Sequence, residues 1–545
     1  MKLSGKCDLK KLGKDTWKAG LKNWFSIGLV LIFFLQMAFL IYMNLFASDK
    51  ILNFDGSNLM LHGVEMWKNK AILIPGWVET TTLELDTAAL LAIPFYGITG
   101  NVLISYGLSN LVFVLIYILV ISDILKNTGH SFTTTVLAMD LVWIPYCVGM
   151  IDYYNMLFFQ GSQYGIKVLI PLLILDLLLC KKERQKSVKT ILLLGLLCVL
   201  VFVSGLSSGI YVLFSIVAPV ICVMVLDILL DNGFVKYHKY HILMTALTVV
   251  AAGAGYAANV LLGISAHGNN MMLTNYQEMH SNVAAVLLSI FQVLGALPAE
   301  STPVLSATGI VYILKVILVL ALVVTFIIHL KKVFERTEEI SYGKYVAVLC
   351  LWNVFVFIFS ETRYSLENVI IENRYYLIVL IPLMLLLAMQ VENWLGQVQK
   401  AFRVVLSLAV FGGTLLLALG CDGLTMKQFD ANSFHIKDIV AFVNNMDIDV
   451  DSVILMHEPD TQGIYRLLDA DHKYSAYDTE AGHLVVYDYY KDYVNQLGDS
   501  NIILLYNWEK PEDFLPEEIS STYTMIGEVD WFNIYYSDSN QFSSN

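Results

Sequence analysis

The sequence predicts a polytopic α-helical membrane protein of about eleven spans with a small water-exposed α/β domain at its C-terminal end. Three observations predict this class. First, hydrophobic residues make up 57% of the 545-residue chain, charged residues only 15%, and the mean hydropathy is +0.63; soluble domains carry about 25% charged residues. Second, apolar runs long enough to cross ~30 Å of hydrocarbon recur over the first 420 residues. Backbone inside lipid must satisfy its own hydrogen bonds, so these runs are helices. Third, the composition changes at Cys421. From there to Asn545 the chain has 23 Asp and Glu against 6 Lys and Arg, whereas residues 1–420 are net basic at +4.

Taken in order, the expected spans are 24–46, 101–125, 132–150, 164–180, 190–205, 207–230, 242–263, 304–328, 345–360, 375–391 and 402–420. The pair at 190–230 is divided at Ser204-Gly205-Leu206-Ser207-Ser208-Gly209, which reads as a hairpin. The segment 85–100 is apolar but short and contains Pro94 and Gly97, so it is placed at the interface, feeding the second span.

Basic residues set the expected orientation. Lys2 to Lys22 precede the first span. Alternate loops then hold Lys126, Lys181-Lys182-Glu183-Arg184 with Lys186 and Lys189, Lys236 and Lys239, Lys331 to Lys344, and Lys400 with Arg403. The other loops are nearly free of Lys and Arg, apart from Lys50, Lys68, Lys70, Lys167, Arg363 and Arg374. Positive charge stays on the cytoplasmic side, so the N-terminus is read as inside and the C-terminal domain as extracytoplasmic. The long basic leader and the absence of a small-residue cleavage site make the first span an anchor. The expected division is 1–420 for the membrane domain and 421–545 for the outer domain. In the latter, strands at Ser452–Met456 and Asn501–Tyr506, helices at Ser433–Met446 and Thr461–Leu468, and a hairpin of Thr522–Ile526 with Trp531–Tyr536 make an α/β unit.

Several function classes are set aside. The seven cysteines give the outer domain no disulfide framework. There is no CxxC, HExxH or glycine-rich phosphate loop, and no basic, aromatic surface for nucleic acid. Function therefore falls to the outward loops. The first, about 47–86, opens with Asn53-Phe54-Asp55-Gly56-Ser57. It continues through a helix at Asn58–Trp67, with Met60, Val64 and Trp67 on one face and His62 and Glu65 elsewhere, suited to lying in the interface plane. Ile74-Pro75-Gly76-Trp77 breaks that helix, and Glu79, Glu84 and Asp86 follow. A second loop holds Asp152-Tyr153-Tyr154-Asn155. A third, Ser265–Pro303, holds His267, Glu278, His280 and Glu300, and Glu361–Tyr376 contains Arg363, Glu372 and Arg374-Tyr375-Tyr376.

Three pieces resemble polytopic glycosyltransferases of the C-type superfamily (GT-C), in the branch of bacterial protein mannosyltransferases and the lipid A aminoarabinose transferase. They are Phe54-Asp55-Gly56-Ser57 after an inward-starting first helix, Leu90-Leu91-Ala92-Ile93-Pro94-Phe95-Tyr96-Gly97 leading into the second span, and Asn373-Arg374-Tyr375-Tyr376-Leu377 opening a late span. The chain departs from the common form in having Gly56 where a second acid often follows the first. The resemblance implies transfer of a sugar from a polyprenyl-phosphate donor to a glycan, lipid or protein acceptor outside the membrane. On that implication Asp55 is the general base, which must reach the acceptor hydroxyl, and Asp152 is a second catalytic acid. Arg374, with Lys68 and Lys70, holds the donor phosphate. Glu84, Asp86, Tyr153 and Tyr375 support the acceptor side. No nucleotide is needed, no metal ligand is assigned, and a divalent metal is left open as a cofactor.

Plainer roles stand beside these. Asp55 could cap the loop helix, Arg374 could anchor at the headgroups, and Glu84 and Asp86 could cap the next helix. Asp152 could be an ordinary loop acid. Two other classes stand against glycosyl transfer: a transporter or flippase of a lipid-linked saccharide, for which Asp140, Asp176 and Asp227 are the intramembrane acids, and a polymerase or ligase of surface polysaccharide.

Overall fold

The computed structural model describes residues 24–77, 83–149, 152–231, 239–263, 273–298, 300–336, 340–360, 373–431, 435–479, 482–485, 496–539 and 542. The basic leader, Glu79, Lys236, His267, Arg363 and Glu372 lie outside them. The helices up to Ala431 are, in chain order, α1 Trp24–Phe46, α2 Phe54–Asn69, α3 Ala89–Thr99, α4 Val102–Asn127, α5 Phe132–Trp143, α6 Tyr153–Phe158, α7 Gly165–Leu178, α8 Val188–Ser208, α9 Ala218–Asp231 preceded by a π-helical turn at Leu213–Val217, α10 Lys239–Leu262, α11 Tyr276–Gln292, α12 Ala307–Leu330, α13 Tyr342–Phe359, α14 Leu377–Gln397 and α15 Lys400–Ala431.

Each of the eleven expected spans coincides with a helix. Among the described residues, nine helices are long and apolar enough to cross a membrane: α1, α4, α8, α9 with its π turn, α10, α12, α13, α14 and α15. The other two, α5 and α7, have only 12 and 14 residues, about 18 and 21 Å at 1.5 Å per residue. A physical cause is visible for α5. Ile144, which precedes Pro145, leaves the helix in extended conformation, as a residue before proline prefers. Every residue of α7 is buried, so it is a core helix rather than one with a lipid-facing side.

The chain forms two compact units. The first, here the bundle unit, takes the described parts of Met1–Asn44, Thr81–Ala88 and Asn110–Lys427. The second, the sheet unit, takes those of Leu45–Thr80, Ala89–Ser109 and Gln428–Asn545.

In the bundle unit α8 and α10 pack backbone to backbone. A Cβ on Gly255 would lie 2.2 Å from the Phe202 carbonyl oxygen, and one on Gly205 would lie 2.8 Å from the Ala252 oxygen. Asn259 closes the pair with a 2.7 Å bond to the Leu206 carbonyl. Close approach through small residues is how helices associate where lipid removes the hydrophobic incentive. The expected hairpin is displaced: Ser204 to Ser208 are still helical in α8, and the chain turns only at Gly209, which is at φ +60. The basic end of the bundle is tied by ion pairs: Lys189 with Asp123, and Lys344 with Asp227 at 2.6 Å, the latter fully buried.

The sheet unit adds α16 His435–Asn444 and α17 Gln462–Leu468 to six strands: β1 Ser452–Leu455, β2 Lys473–Asp478, β3 His483–Val485, β4 Asn501–Tyr506, β5 Thr524–Val529 and β6 Phe532–Ser537. Their order is β3-β2-β1-β4-β6-β5, with β2, β1 and β4 parallel and the outer strands antiparallel. The central strands Ser-Val-Ile-Leu and Asn-Ile-Ile-Leu-Leu-Tyr are continuous apolar runs because both faces are covered. The expected strands, helices and hairpin are all present. Two strands are additional, β2 and the three-residue β3; β2, Lys-Tyr-Ser-Ala-Tyr-Asp, has no β-branched residue to announce it. The loop helix α2 belongs to this unit and packs on α17.

Gly255→Leu should lower the melting temperature of the detergent-solubilised protein by the equivalent of about 1–3 kcal/mol, the usual cost of overpacking. Gly253→Leu, whose new Cβ meets nothing within 4 Å, should leave it unchanged.

Candidate functional site

In the sheet unit, Asp55 stands in the first turn of α2 and is half-buried. The cap is Asn53, whose side-chain oxygen accepts the Gly56 amide at 2.8 Å. Capping therefore does not account for Asp55, although a carboxylate in a first turn is favoured by the helix dipole. From Gly56 to Val64 α2 is buried all round, so it is packed as a core helix rather than presenting a single apolar stripe. His62 stacks on Trp77 with centroids 4.9 Å apart and planes 7° apart, and burial lowers its imidazole pKa to about 4. Gly63 is required because Tyr106 comes within 2.3 Å of its would-be Cβ while donating to the Leu59 carbonyl at 3.1 Å.

The helix end accounts for both lysines proposed for phosphate. Lys68, 55% exposed, pairs with Glu65 at 2.9 Å. Lys70 is the left-handed C-cap at φ 51, with its ammonium 3.3 Å from the Trp67 ring centroid.

In the bundle unit a polar cluster forms around Asp86. This carboxylate is fully buried. Its Oδ2 accepts from Ser204 at 2.6 Å and Ser208 at 2.7 Å, and pairs with Lys167 at 3.0 Å. Asp86 is thus a buried counter-ion rather than a helix cap. Glu84, two residues earlier, is in left-handed conformation at φ 59, and its backbone carbonyl accepts the Thr87 hydroxyl at 2.5 Å. Lys167 also donates to the Gln163 carbonyl at 3.0 Å and lies 5.1 Å from the Tyr164 ring. Arg374 donates to the side-chain oxygen of the same Gln163 at 3.4 Å and lies 5.8 Å from the Tyr375 ring. Tyr375 meets Tyr211 at 6.2 Å, and Tyr211 meets Tyr164 at 6.4 Å. Two cations therefore share one glutamine, and a row of three aromatic rings runs from one cation to the other.

Helix polarity locates this cluster. Lys167 is in the first turn of α7, Ser204 and Ser208 are in the last turns of α8, and Arg374 and Tyr375 are in the 3₁₀ turn before α14. The opposite end of α8 carries Lys189, and α7 ends just before Lys181. The cluster and the basic loops occupy opposite ends of the same helices.

Asp152 and Tyr153 have a neighbourhood of their own. Asp152 is the N-cap residue of α6 without a side-chain cap bond. Burial raises its pKa, and the Lys315 ammonium opposes that rise. Lys315 donates to the carbonyls of Tyr146 and Gly295. Tyr153 is buried, donates to the Val142 carbonyl at 2.6 Å and packs on Tyr146 at 5.2 Å; this is a core tyrosine, with no open face for a sugar. Among the described residues no group of three or more His, Cys, Asp and Glu could hold a metal ion.

Of the predicted residues, Arg374, Tyr375 and Asp86 come together. Gln163, Tyr164, Lys167, Ser204, Ser208 and Tyr211 join them and are not among the residues expected at the site. Lys167, one of six basic residues on the Lys-poor side, and the Ser204/Ser208 pair at i,i+4 were the available signals.

No protein-family model matches the sequence, and no curated protein matches it. Among solved structures, ArnT from Cupriavidus metallidurans in the apo state superposes on 93% of this chain and 97% of its own, with a TM-score of 0.55 and 11% identity. The fold is GT-C-like. ArnT bound to undecaprenyl phosphate aligns over 96% of this chain and 98% of its own, with a TM-score of 0.49 and 11% identity. An Archaeoglobus fulgidus oligosaccharyltransferase, in complex with Zn and sulfate, aligns over 87% of this chain and 67% of its own, with the same TM-score and identity. The resemblance read from the Asp55, Pro94 and Arg374 segments is borne out as a GT-C-like fold of a multi-pass membrane protein.

The buried His62 carries a pH signature. Its folded pKa, about 4, lies below the unfolded 6.5. The unfolded state therefore binds more protons between those values, and stability falls as pH drops through that window. In melts from pH 7 to pH 4 the wild type should lose about 3 kcal/mol relative to His62→Phe, which keeps the stack on Trp77. Parallel curves would contradict this.

Proposed function

We propose that the chain is a membrane glycosyltransferase that moves a sugar from a polyprenyl-phosphate donor to an acceptor at the face opposite its basic loops. By the distribution of positive charge that face is extracytoplasmic, with the N-terminus inside and the acidic domain beyond residue 420 outside. The observation that carries the reading is the arrangement of Arg374 and Lys167 around Gln163 at that end of a GT-C-like bundle.

The chemistry follows from the residues. As the anomeric carbon–phosphate oxygen bond breaks, its electron pair passes to the lipid phosphate, and negative charge grows there. A guanidinium matches phosphate oxygens with two parallel bonds, and Lys167 adds a point charge. Asp86 and its two serines hold that ammonium in place, and in a low-dielectric site such preorganised charge stabilises the transition state strongly. Tyr164, Tyr211 and Tyr375 present rings with polar tips, suited to the headgroup level. Asp55 takes the proton of the acceptor hydroxyl as that oxygen attacks the opposite face of the anomeric carbon, inverting it. Its position in the first turn of α2, with capping left to Asn53, supports this role. Asp152, whose pKa burial raises, is kept as the second acid. The leaving group is the lipid phosphate, so no nucleotide enters.

The test is turnover of a panel of polyprenyl-phosphate sugars by purified protein in lipid. Asp55→Asn should slow donor consumption at least 100-fold, the low end of general-base contributions. Turnover that survives the substitution removes Asp55 as base. Labelled lipid that crosses the bilayer unconsumed assigns transport instead.

A further inference from the structure

The sheet unit carries a second cluster that the transfer chemistry does not use. From β1 the chain passes through α17 to β2 on one side, and later returns to β4 on the other side of β1. Open α/β sheets bind ligands outside the C-terminal ends of their strands where the order reverses in this way.

His457 follows β1 at that point, and Tyr506 ends β4. Three near-parallel rings step outward from there. His457 and Tyr506 have centroids 4.3 Å apart at 17°, and Tyr506 and Trp508 are 4.8 Å apart at 21°. The last ring, Trp508, is 71% exposed. Glu509 fixes the inner rings: its carboxylate meets His457 Nε2 at 2.6 Å and accepts the Tyr506 amide at 3.1 Å. Glu458 is exposed and held at φ 50, with the Tyr506 hydroxyl against its carboxylate.

An exposed indole stacked on a buttressed ladder adds little to folding, since most of its area stays in water. An exposed ring stacked on a tyrosine whose hydroxyl meets an exposed carboxylate suits a sugar. The C–H face of a pyranose lies on the ring, and its hydroxyls donate to the acid. The domain around it has the net acidity of 23 acids against 6 bases, which disfavours phosphate, anionic lipid and nucleic acid. We propose that the switch point between β1 and β4 binds a neutral carbohydrate, with one sugar ring stacked on Trp508 and its hydroxyls bonded to Glu458. As the holding site of an acceptor glycan this rests on the transfer reading; as a binding site it does not.

The test uses the full-length protein in lipid nanodiscs, titrated calorimetrically with neutral tetrasaccharides of glucose, mannose and N-acetylglucosamine. At least one should bind saturably, Trp508→Ala should weaken it at least 10-fold, Trp508→Phe should restore most of it, and Asp55→Asn should bind as wild type. No saturable binding to any of the three, or equal binding by Trp508→Ala, overturns the site. So does a Trp508→Ala protein that loses only its association with anionic vesicles, which would make the ring a membrane anchor. Saturable binding by a wild-type protein that consumes none of the polyprenyl-phosphate sugars keeps this proposal and removes the transfer reading alone.

Discussion

The bundle end opposite the basic loops depends on the buried carboxylate of Asp86. An ionised carboxylate without partners costs several kcal/mol away from water, so the segment carrying it must be met by donors. Here they come from two helices: the Lys167 ammonium at the start of α7 and two hydroxyls one turn apart at the end of α8. Those bonds join the 83–88 segment, α7 and α8 at one end. Lys167 in turn shares Gln163 with Arg374, which brings the start of α14 to the same place. Without the Asp86 charge, Lys167 would be the uncompensated ion.

The same constraint explains the chemistry the cluster can perform. A lysine pinned by a buried counter-ion does not reorganise when charge appears nearby, and an arginine on a neutral amide keeps its positive field. Fixed donors of that kind are what a departing phosphate needs. The glycines of α8 and α10 serve the same end, because their backbone contact sets where Ser204 and Ser208 project.

Much of the architecture was legible in the sequence because hydropathy and charge are local signals. All eleven expected spans coincide with helices, and the acidic tail is a small α/β sheet with its hairpin in the expected place. Length was misjudged for α5 and α7, where burial inside protein mimics burial in lipid and only Pro145 marked an early end. The site was legible in part. Arg374 and Tyr375 stood out as a polar pair opening an apolar helix, and Asp55 stood out by position. Lys167, Tyr164 and Tyr211 did not, because they lie about 80 to more than 200 residues from Asp86 and Arg374 in the sequence, and one chain alone carries no record of that pairing. Asp86 was legible as an acid but not as a counter-ion.

In the proposed function Arg374 and Lys167 hold a lipid phosphate. The most direct measurement is the affinity of full-length protein in nanodiscs for a short-chain polyprenyl phosphate, without sugar or acceptor. Charge-assisted hydrogen bonds contribute about 1.5–3 kcal/mol each, so Arg374→Ala should weaken binding roughly 10- to 100-fold, with no change for a polyprenol that lacks the phosphate. Equal affinity of wild type and Arg374→Ala for the polyprenyl phosphate would rule out a phosphate site at Arg374.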